Sequence, residues 1–332
     1  MGDTGRNGAG PRTRMWRDGR LEAAGFPHSE LPERLREPGA VVWLDLRDPR
    51  EEELRLVAGE LGLDPIAIED AVSSHERTKL DHYRDYAFLN AYAPEVSGGA
   101  LVMHEVSAFV SDRVLVTVRQ GGGFDVDALV ERWDEGPRPP GARGTVLLLY
   151  GLLDMLVDLQ LDAAQALDDE ADALEGLIFD EESSAIREIQ RRGFRLRKDL
   201  AALRRVALPM REIVNALLRH PDRTVPEPLV PYFQDVYDHT LRIGEWTDGL
   251  RDLVANLMDT RVAMQGNRLN EVMKKVTSWA AIIAVPTAVT GWYGQNLPFP
   301  GYAKEWGLAV SVALIAGSMA VLYAVFKVKD WL

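Results

Sequence analysis

Residues 267–293 read NRLNEVMKKVTSWAAIIAVPTAVTGWY. The stretch begins polar and helical and loses every charge after Lys275. Val276–Tyr293 approaches the roughly 20 apolar residues that a helix needs to cross a bilayer. It has no polar face, which disfavours a buried core helix, and Trp292 and Tyr293 stand at its end as interfacial anchors do. A second uncharged run, WGLAVSVALIAGSMAVLYAVF, covers Trp306–Phe326. Arg268, Lys274 and Lys275 precede the first run and Lys327 and Lys329 follow the second, while the linker holds one Lys and one Glu. The positive-inside rule then places both flanks and both termini in the cytoplasm, in a multi-pass protein of the cell (inner or plasma) membrane. The tetrapeptide Tyr293-Gly294-Gln295-Asn296 falls outside.

Upstream, the helical pattern runs back to about Leu229, and the stretch YFQDVYDHTLRIGEWTDGLRDLVANLMDTRVAMQG runs into the first span without a proline. A helix from Leu229 to Trp292 spans roughly 95 Å at 1.5 Å per residue. Such a rod requires a bundle, and one chain lacks the helices to build it. Before it, two segments with apolar residues at three- and four-residue spacing are predicted as helices. One is TVLLLYGLLDMLVDLQLDAAQALDDEADALEGL, from Thr145; the other, after FDEESS, is AIREIQRRGFRLRKDLAALRRVALPMREIVNALLR. Their acidic and arginine-rich stretches suit antiparallel pairing, and Pro209 marks a kink. Between Phe26 and Pro140, β-branched runs (AVVWLDLRD, YAFLNAYA, LVMHEVSAFV, RVLVTVR) alternate with helical ones. Gly62 is placed to stop one helix, and Asp64 with Pro65 to start the next. Gly121–Gly123 lacks the lysine and hydroxyl of a phosphate loop and reads as a turn.

The fold class is an α+β cytoplasmic domain followed by a long helical stalk and two C-terminal transmembrane helices. The expected divisions are a disordered tail (1–25), an α/β domain (26–140), a long-helix hairpin and stalk (141–275), a first span (276–293), an outer loop (294–305), a second span (306–326) and a basic tail (327–332).

Bulk composition narrows the function. The chain has 332 residues, 46% hydrophobic and 27% charged, with a net charge of −13. That balance repels nucleic acid and suits a protein that concentrates cations. Cysteine is absent, which removes thiolate metal sites and cysteine nucleophiles. No nucleophile–base spacing emerges, so the chain is not read as an enzyme.

Steps of three and four along the first span trace Asn270, Met273, Thr277, Ala280, Ala284, Thr287 and Gly291, mostly small or hydroxyl-bearing. Small residues let helices approach. Polar groups on such a face also suit a water-filled lumen, and periodicity leaves both readings open. At the mouth of a symmetric bundle, the carboxamides of Gln295 and Asn296 offer neutral acceptors. These bind the waters around a divalent cation without stripping them, which suits Mg²⁺. Carboxylates there would hold the ion too tightly for conduction.

In order and spacing, PYFQDVYDHTLRIGE, NEVMKKVT, YGQN before a final span, the closing FKVKDWL, and LDPIAIEDAVSSHERTKLDHYRDYAFL resemble the CorA-type divalent-cation channels. The resemblance covers nearly the whole chain. It implies a funnel-shaped homopentamer in the lipid bilayer, with the first span lining the pore, and uptake of Mg²⁺ or Co²⁺. The family's outer motif is Gly-Met-Asn; Gly294 and Asn296 match it, and Gln295 replaces the methionine. Since zinc-transporting relatives vary this position too, a Zn²⁺, Ni²⁺ or Co²⁺ transporter of the same fold is the alternative. A non-conducting, membrane-anchored oligomeric scaffold or sensor is a further one. The family's constrictions fall on Met273 and Val276, and another falls on Ala284, which is small and implies a looser gate. Asp235, Asp238 and His239 lie near one helix face and read alone as a solvated charge cluster. The resemblance makes Asp235 one side of an intersubunit regulatory Mg²⁺ site, with Glu95 of a neighbouring copy as its expected partner.

Overall fold

The computed structural model describes residues 12–73, 76–135, 144–180, 186–219, 225–295, 298, 300–302 and 304–332. They fall into two compact units, Met1–Ala255 and Asn256–Leu332.

In the first unit, a seven-stranded sheet runs in the order β2-β1-β3-β7-β6-β5-β4. Its strands are β1 (Arg12–Arg17), β2 (Arg20–Ala24), β3 (Ala40–Arg47), β4 (Lys79–His82), β5 (Ala87–Ser97), β6 (Ala100–Val110) and β7 (Val114–Arg119). Only β3 and β7 pair in parallel, with Leu44 opposite Val116; every other pairing is antiparallel. The period of two sends alternate residues to opposite faces. Val42, Leu44 and Leu46 join Val116 and Phe109 on one face, against α2 (Glu51–Leu61) and α3 (Pro65–Val72). Trp43 and Leu115 join Ala91 and Val106 on the other, against α4 (Val126–Glu135) and α5 (Thr145–Phe179). A short helix, α1 (Leu31–Arg34), precedes β3.

Where β3 and β7 meet, Asp45 and Arg119 form a buried ion pair, with Nη2 to Oδ2 at 2.6 Å and Nε to Oδ1 at 2.9 Å. Thr117 and the Phe124 carbonyl take up further bonds of this pair. The helix ends follow their local chemistry. Gly62 adopts φ 69° at the close of α2, and Asp64 Oδ1 accepts the Ile66 N–H at 2.9 Å to start α3.

Residues 12–24, expected in a disordered tail, instead form the hairpin β1–β2, and β1 pairs with β3. Arginine-rich composition hid it. Met15 and Trp16 are buried, and the arginines on either side of them are spent on acidic partners: Arg12 on Asp127, Arg14 on Asp134 and Arg17 on Glu22. Asp18 and Gly19, both at positive φ, make the tight turn that an Asp-Gly pair favours. Residues 1–11 of that expected tail lie outside the described residues.

Helices α5 and α6 (Ile186–Arg219) pack along each other as the charge pattern predicts, Arg192 reaching Glu170 with bonds of 2.7 and 2.8 Å. This pair is partly buried; a fully exposed one would contribute at most about 1 kcal/mol. Buried leucines and alanines at helical spacing do the rest, among them Leu167, Ala171 and Leu174 of α5 and Leu196, Leu200 and Leu203 of α6. Helix α6 continues through Pro209.

Helix α7 (Val230–Tyr293) is one element of 64 residues, and its later part belongs to the second unit with α8 (Glu305–Val328). Both helices are long and apolar enough to cross a membrane. Helix α8 begins one residue before the expected span and ends two residues after it.

Candidate functional site

Helix α7 has two opposite characters within the second unit. Ser278 and Ile282 are buried, at 0% and 4% exposure, and Ala281, Val285, Pro286, Val289 and Tyr293 are partly covered. At 3.6 residues per turn these make a single stripe. In α8, Gly307, Ser311, Ile315, Ser318, Met319, Leu322 and Phe326 make a matching one. The remaining perimeter of both helices is open.

On the side of α7 opposite its covered stripe lie Asn270, Met273, Thr277, Ala280, Ala284, Thr287 and Gly291, all exposed. Two successive grooves run along them. The first, about 570 Å³, is lined by Asn270, Met273 and Thr277, together with Trp331 of the C-terminal tail. The second, about 680 Å³, is lined by Ala280, Ala284 and Thr287. Gly291 is a turn beyond them, and Val276, 58% exposed, stands beside the grooves rather than in them. The face therefore offers carboxamide, thioether, hydroxyl and methyl groups in succession; Glu271 and Lys274 also line the first groove, and no formal charge follows from Thr277 outward.

Pro286 interrupts the backbone ladder within this segment, because its ring nitrogen has no hydrogen for the Ile282 carbonyl. One turn on, Thr290 Oγ1 donates to the Pro286 carbonyl at 2.8 Å, a bond that does not reach the freed Ile282 carbonyl.

The outer end is a tight stop. Gly294 N–H donates to the Thr290 carbonyl at 2.9 Å and Gln295 N–H to the Trp292 carbonyl at 3.4 Å. A Cβ on Gly294 would come within 3.1 Å of the Thr290 oxygen, so glycine fits this turn best. Gln295 is exposed. Asn296 lies outside the described residues.

The expected regulatory residues separate into two places in the first unit. Asp235 and Asp238 are exposed near the start of α7, and half-buried His239 has Nε2 at 4.0 Å from Asp235 Oδ1. His239 Nδ1 is buried without a hydrogen-bond partner. Asp235 is close enough to act on Asp154 and Tyr150 of α5. Burial pushes the Asp154 carboxyl above its ordinary range, Arg132 opposes this, and the charges of Asp158 and Asp235 add to it. Arg132 bridges Asp154 and Asp158, the latter at 2.7 Å. Sequence reasoning passed over Asp154 and Asp158. Their signal was available: two carboxylates four apart in the otherwise apolar LLDMLVDLQL.

Glu95 sits elsewhere, on β5, where its Oε2 is 3.0 Å from His104 Nε2. Among the described residues of one protomer, no group of three or more His, Asp or Glu side chains is arranged to hold a metal ion. Glu95 and Asp235 are not brought together within one chain.

The family described as CorA-like Mg²⁺ transporter protein matches residues 38–327, which takes in strands β3 to β7, the helical hairpin, all of α7 and nearly all of α8. The chain belongs to this family. Relatives in the CorA group span most of its length. The cobalt/magnesium transport protein CorA of Thermotoga maritima is 29% identical over 308 residues, 92% of this chain and 86% of that protein. The putative metal ion transporter YfjQ of Bacillus subtilis is 28% identical over 305 residues, 90% of this chain and 92% of that one. In fold, the complete CorA magnesium transporter of Methanocaldococcus jannaschii superposes with a TM-score of 0.80 at 20% identity, covering 97% of this chain and 98% of that structure. As a CorA-family member the chain is a membrane transporter of divalent metal cations, with the apolar end of α7 and α8 as its two transmembrane helices.

Proposed function

We propose that copies of this chain form a homopentamer in which the small and hydroxyl-bearing face of α7 lines a water-filled pore for Mg²⁺, with Co²⁺ as a second cargo. The observation that carries this reading is the opposition of faces on α7: one stripe is covered within the protomer, and the uncovered one holds Asn270, Thr277 and Thr287. A lipid-facing helix has no use for such polar groups.

Oligomerisation has independent support. Val262, Leu269, Val272 and Val276 are 70%, 64%, 51% and 58% exposed, at spacings of seven, three and four. The first three precede Lys274 and Lys275, where water rather than lipid would surround them. An apolar seam with that period is what a neighbouring copy of the same helix covers. The lysines flanking both spans orient the termini toward the cytoplasm.

At the outer mouth, a ring of Asn296 carboxamides recognises the ion through its retained water shell. The cargo in the name of the Thermotoga maritima relative, cobalt and magnesium, supports this choice of ion. On the cytosolic side, Asp235 with Asp238 and His239 forms one half of a regulatory Mg²⁺ site, and Glu95 of a neighbouring copy is the candidate for the other. Asp235, with 67% of its side chain exposed, is free to be shared across an interface, and a bound cation relieves the crowding of carboxylates around Asp154. Such an ion favours the closed state only as far as it binds that state better. Gln295, in the place of the family's methionine, favours a second reading in which Zn²⁺, Ni²⁺ or Co²⁺ is the principal cargo.

The test is flux by the purified protein in liposomes, across a panel of Mg²⁺, Co²⁺, Ni²⁺ and Zn²⁺. Mg²⁺ and Co²⁺ are expected to pass, and Asn296→Ala is expected to abolish their passage. Intact flux in Asn296→Ala overturns the ring. A preference for Zn²⁺ or Ni²⁺ that reverts in Gln295→Met establishes the second reading.

A further inference from the structure

The chain's last residues return to the inner end of the face just described. Beyond α8, Asp330 N–H donates to the Lys327 carbonyl at 3.3 Å and Trp331 N–H to the Phe326 carbonyl at 2.9 Å. Asp330 lies in the left-handed region at φ 52°. This bond pair around a left-handed residue is a Schellman close, and it usually carries an apolar contact between the residues that Trp331 and Phe326 occupy here. The contact is present: the two rings stack at 5.7 Å and 6°. The backbone therefore aims the indole, and a non-glycine residue held left-handed indicates that its surroundings determine it.

Trp331 lines the inner groove of α7 together with Asn267, Asn270, Glu271, Met273, Lys274 and Thr277. Residues 262–277 of α7 are otherwise exposed around the whole helix. Among the described residues lining this groove, Trp331 is the one that does not belong to α7. We infer that Trp331 is a positioning residue for the inner gate: placed at the groove that borders α7 just before the span, it couples the end of α8 to the segment bearing Met273 and limits how far that segment swings. The inference rests on reading this face of α7 as the ion pathway. Removing the ring frees the inner turns of α7 and weakens closure by internal Mg²⁺.

The experiment compares wild type, Trp331→Ala and Trp331→Phe in liposomes, with internal Mg²⁺ varied. Trp331→Ala is expected to raise the internal Mg²⁺ that halves flux by at least about five-fold, the lower end of a measurable coupling between sites. Trp331→Phe restores it, and the thermal unfolding of the α+β unit is the same in all three. An unchanged half-inhibition in Trp331→Ala overturns the inference. A second readout needs no flux. The chain has no cysteine, so Asn267→Cys/Leu332→Cys, which keeps the Trp331 ring, can be joined by a short bis-maleimide, faster in Mg²⁺ than in chelator and slower again when Trp331→Ala is added. Equal rates, or no cross-link within a chain, overturn the inference. Mg²⁺-dependent cross-linking without flux in wild type sustains the tail contact and overturns only the transport reading.

Discussion

Leu269 gives the sharpest handle on assembly. Its side chain is 64% exposed within the protomer and precedes the lysines that open the first span. Fully burying a leucine is worth about 1.5–3 kcal/mol, so covering the exposed part yields about 1–2 kcal/mol at each contact between copies. Leu269→Asn forfeits that amount and adds an amide to desolvate, and the loss repeats at every contact around the ring. Light scattering on detergent-purified protein, diluted in steps, is expected to show the variant dissociating at markedly higher concentration than wild type. Thermal unfolding of the α+β unit should not change, because this side chain contributes nothing to that core. An assembly equally resistant to dilution would refute the seam, and a parallel fall in unfolding temperature would show that Leu269 serves the protomer instead.

Other consequences follow from the same structure. Ala284→Met should narrow the outer groove and reduce Mg²⁺ flux severalfold without loss of assembly; undiminished flux would remove Ala284 from the pathway. Arg119→Met leaves the Asp45 carboxylate buried and unpaired, costing about 3–5 kcal/mol, and calorimetry should show a clearly lowered unfolding temperature. Asp154 is held above its ordinary value of 3.8 by burial, with Arg132 opposing. The folded state thus prefers the protonated acid, and the matching stability is full below pH 3.8 and lost as pH rises through the raised value. Asp154→Asn should flatten that part of the stability–pH curve, and an unaltered slope would count against it.

The membrane end was legible because its signals are local and periodic. Uncharged runs, flanking lysines and a stripe at three- and four-residue spacing can be read without tertiary information. Strands β3, β5, β6 and β7 announced themselves as β-branched runs for the same reason. Strand β1 did not, because its buried Met15 and Trp16 are set among arginines whose partners, Asp127 and Asp134, lie more than a hundred residues away. Only the Asp18-Gly19 turn marked it locally. Which stripe of α7 is covered could not be read either: Ser278 looks as suited to a lumen as Thr277 and differs only in which way it faces. The proposed regulatory cluster is harder still, since Glu95 and Asp235 lie on different elements of one protomer and the proposal has them meet through a second copy.

The most direct test of the pathway uses the absence of cysteine. Single cysteines at Thr277, Ala280, Ala284 and Thr287, and as controls at Ser278 and Ile282, are treated with a small hydrophilic thiol reagent during Mg²⁺ flux. Loss of flux confined to the first set is the expected result. Equal sensitivity on both sides of α7, or block through Ser278 and Ile282 alone, would contradict a pore along the Asn270–Gly291 face.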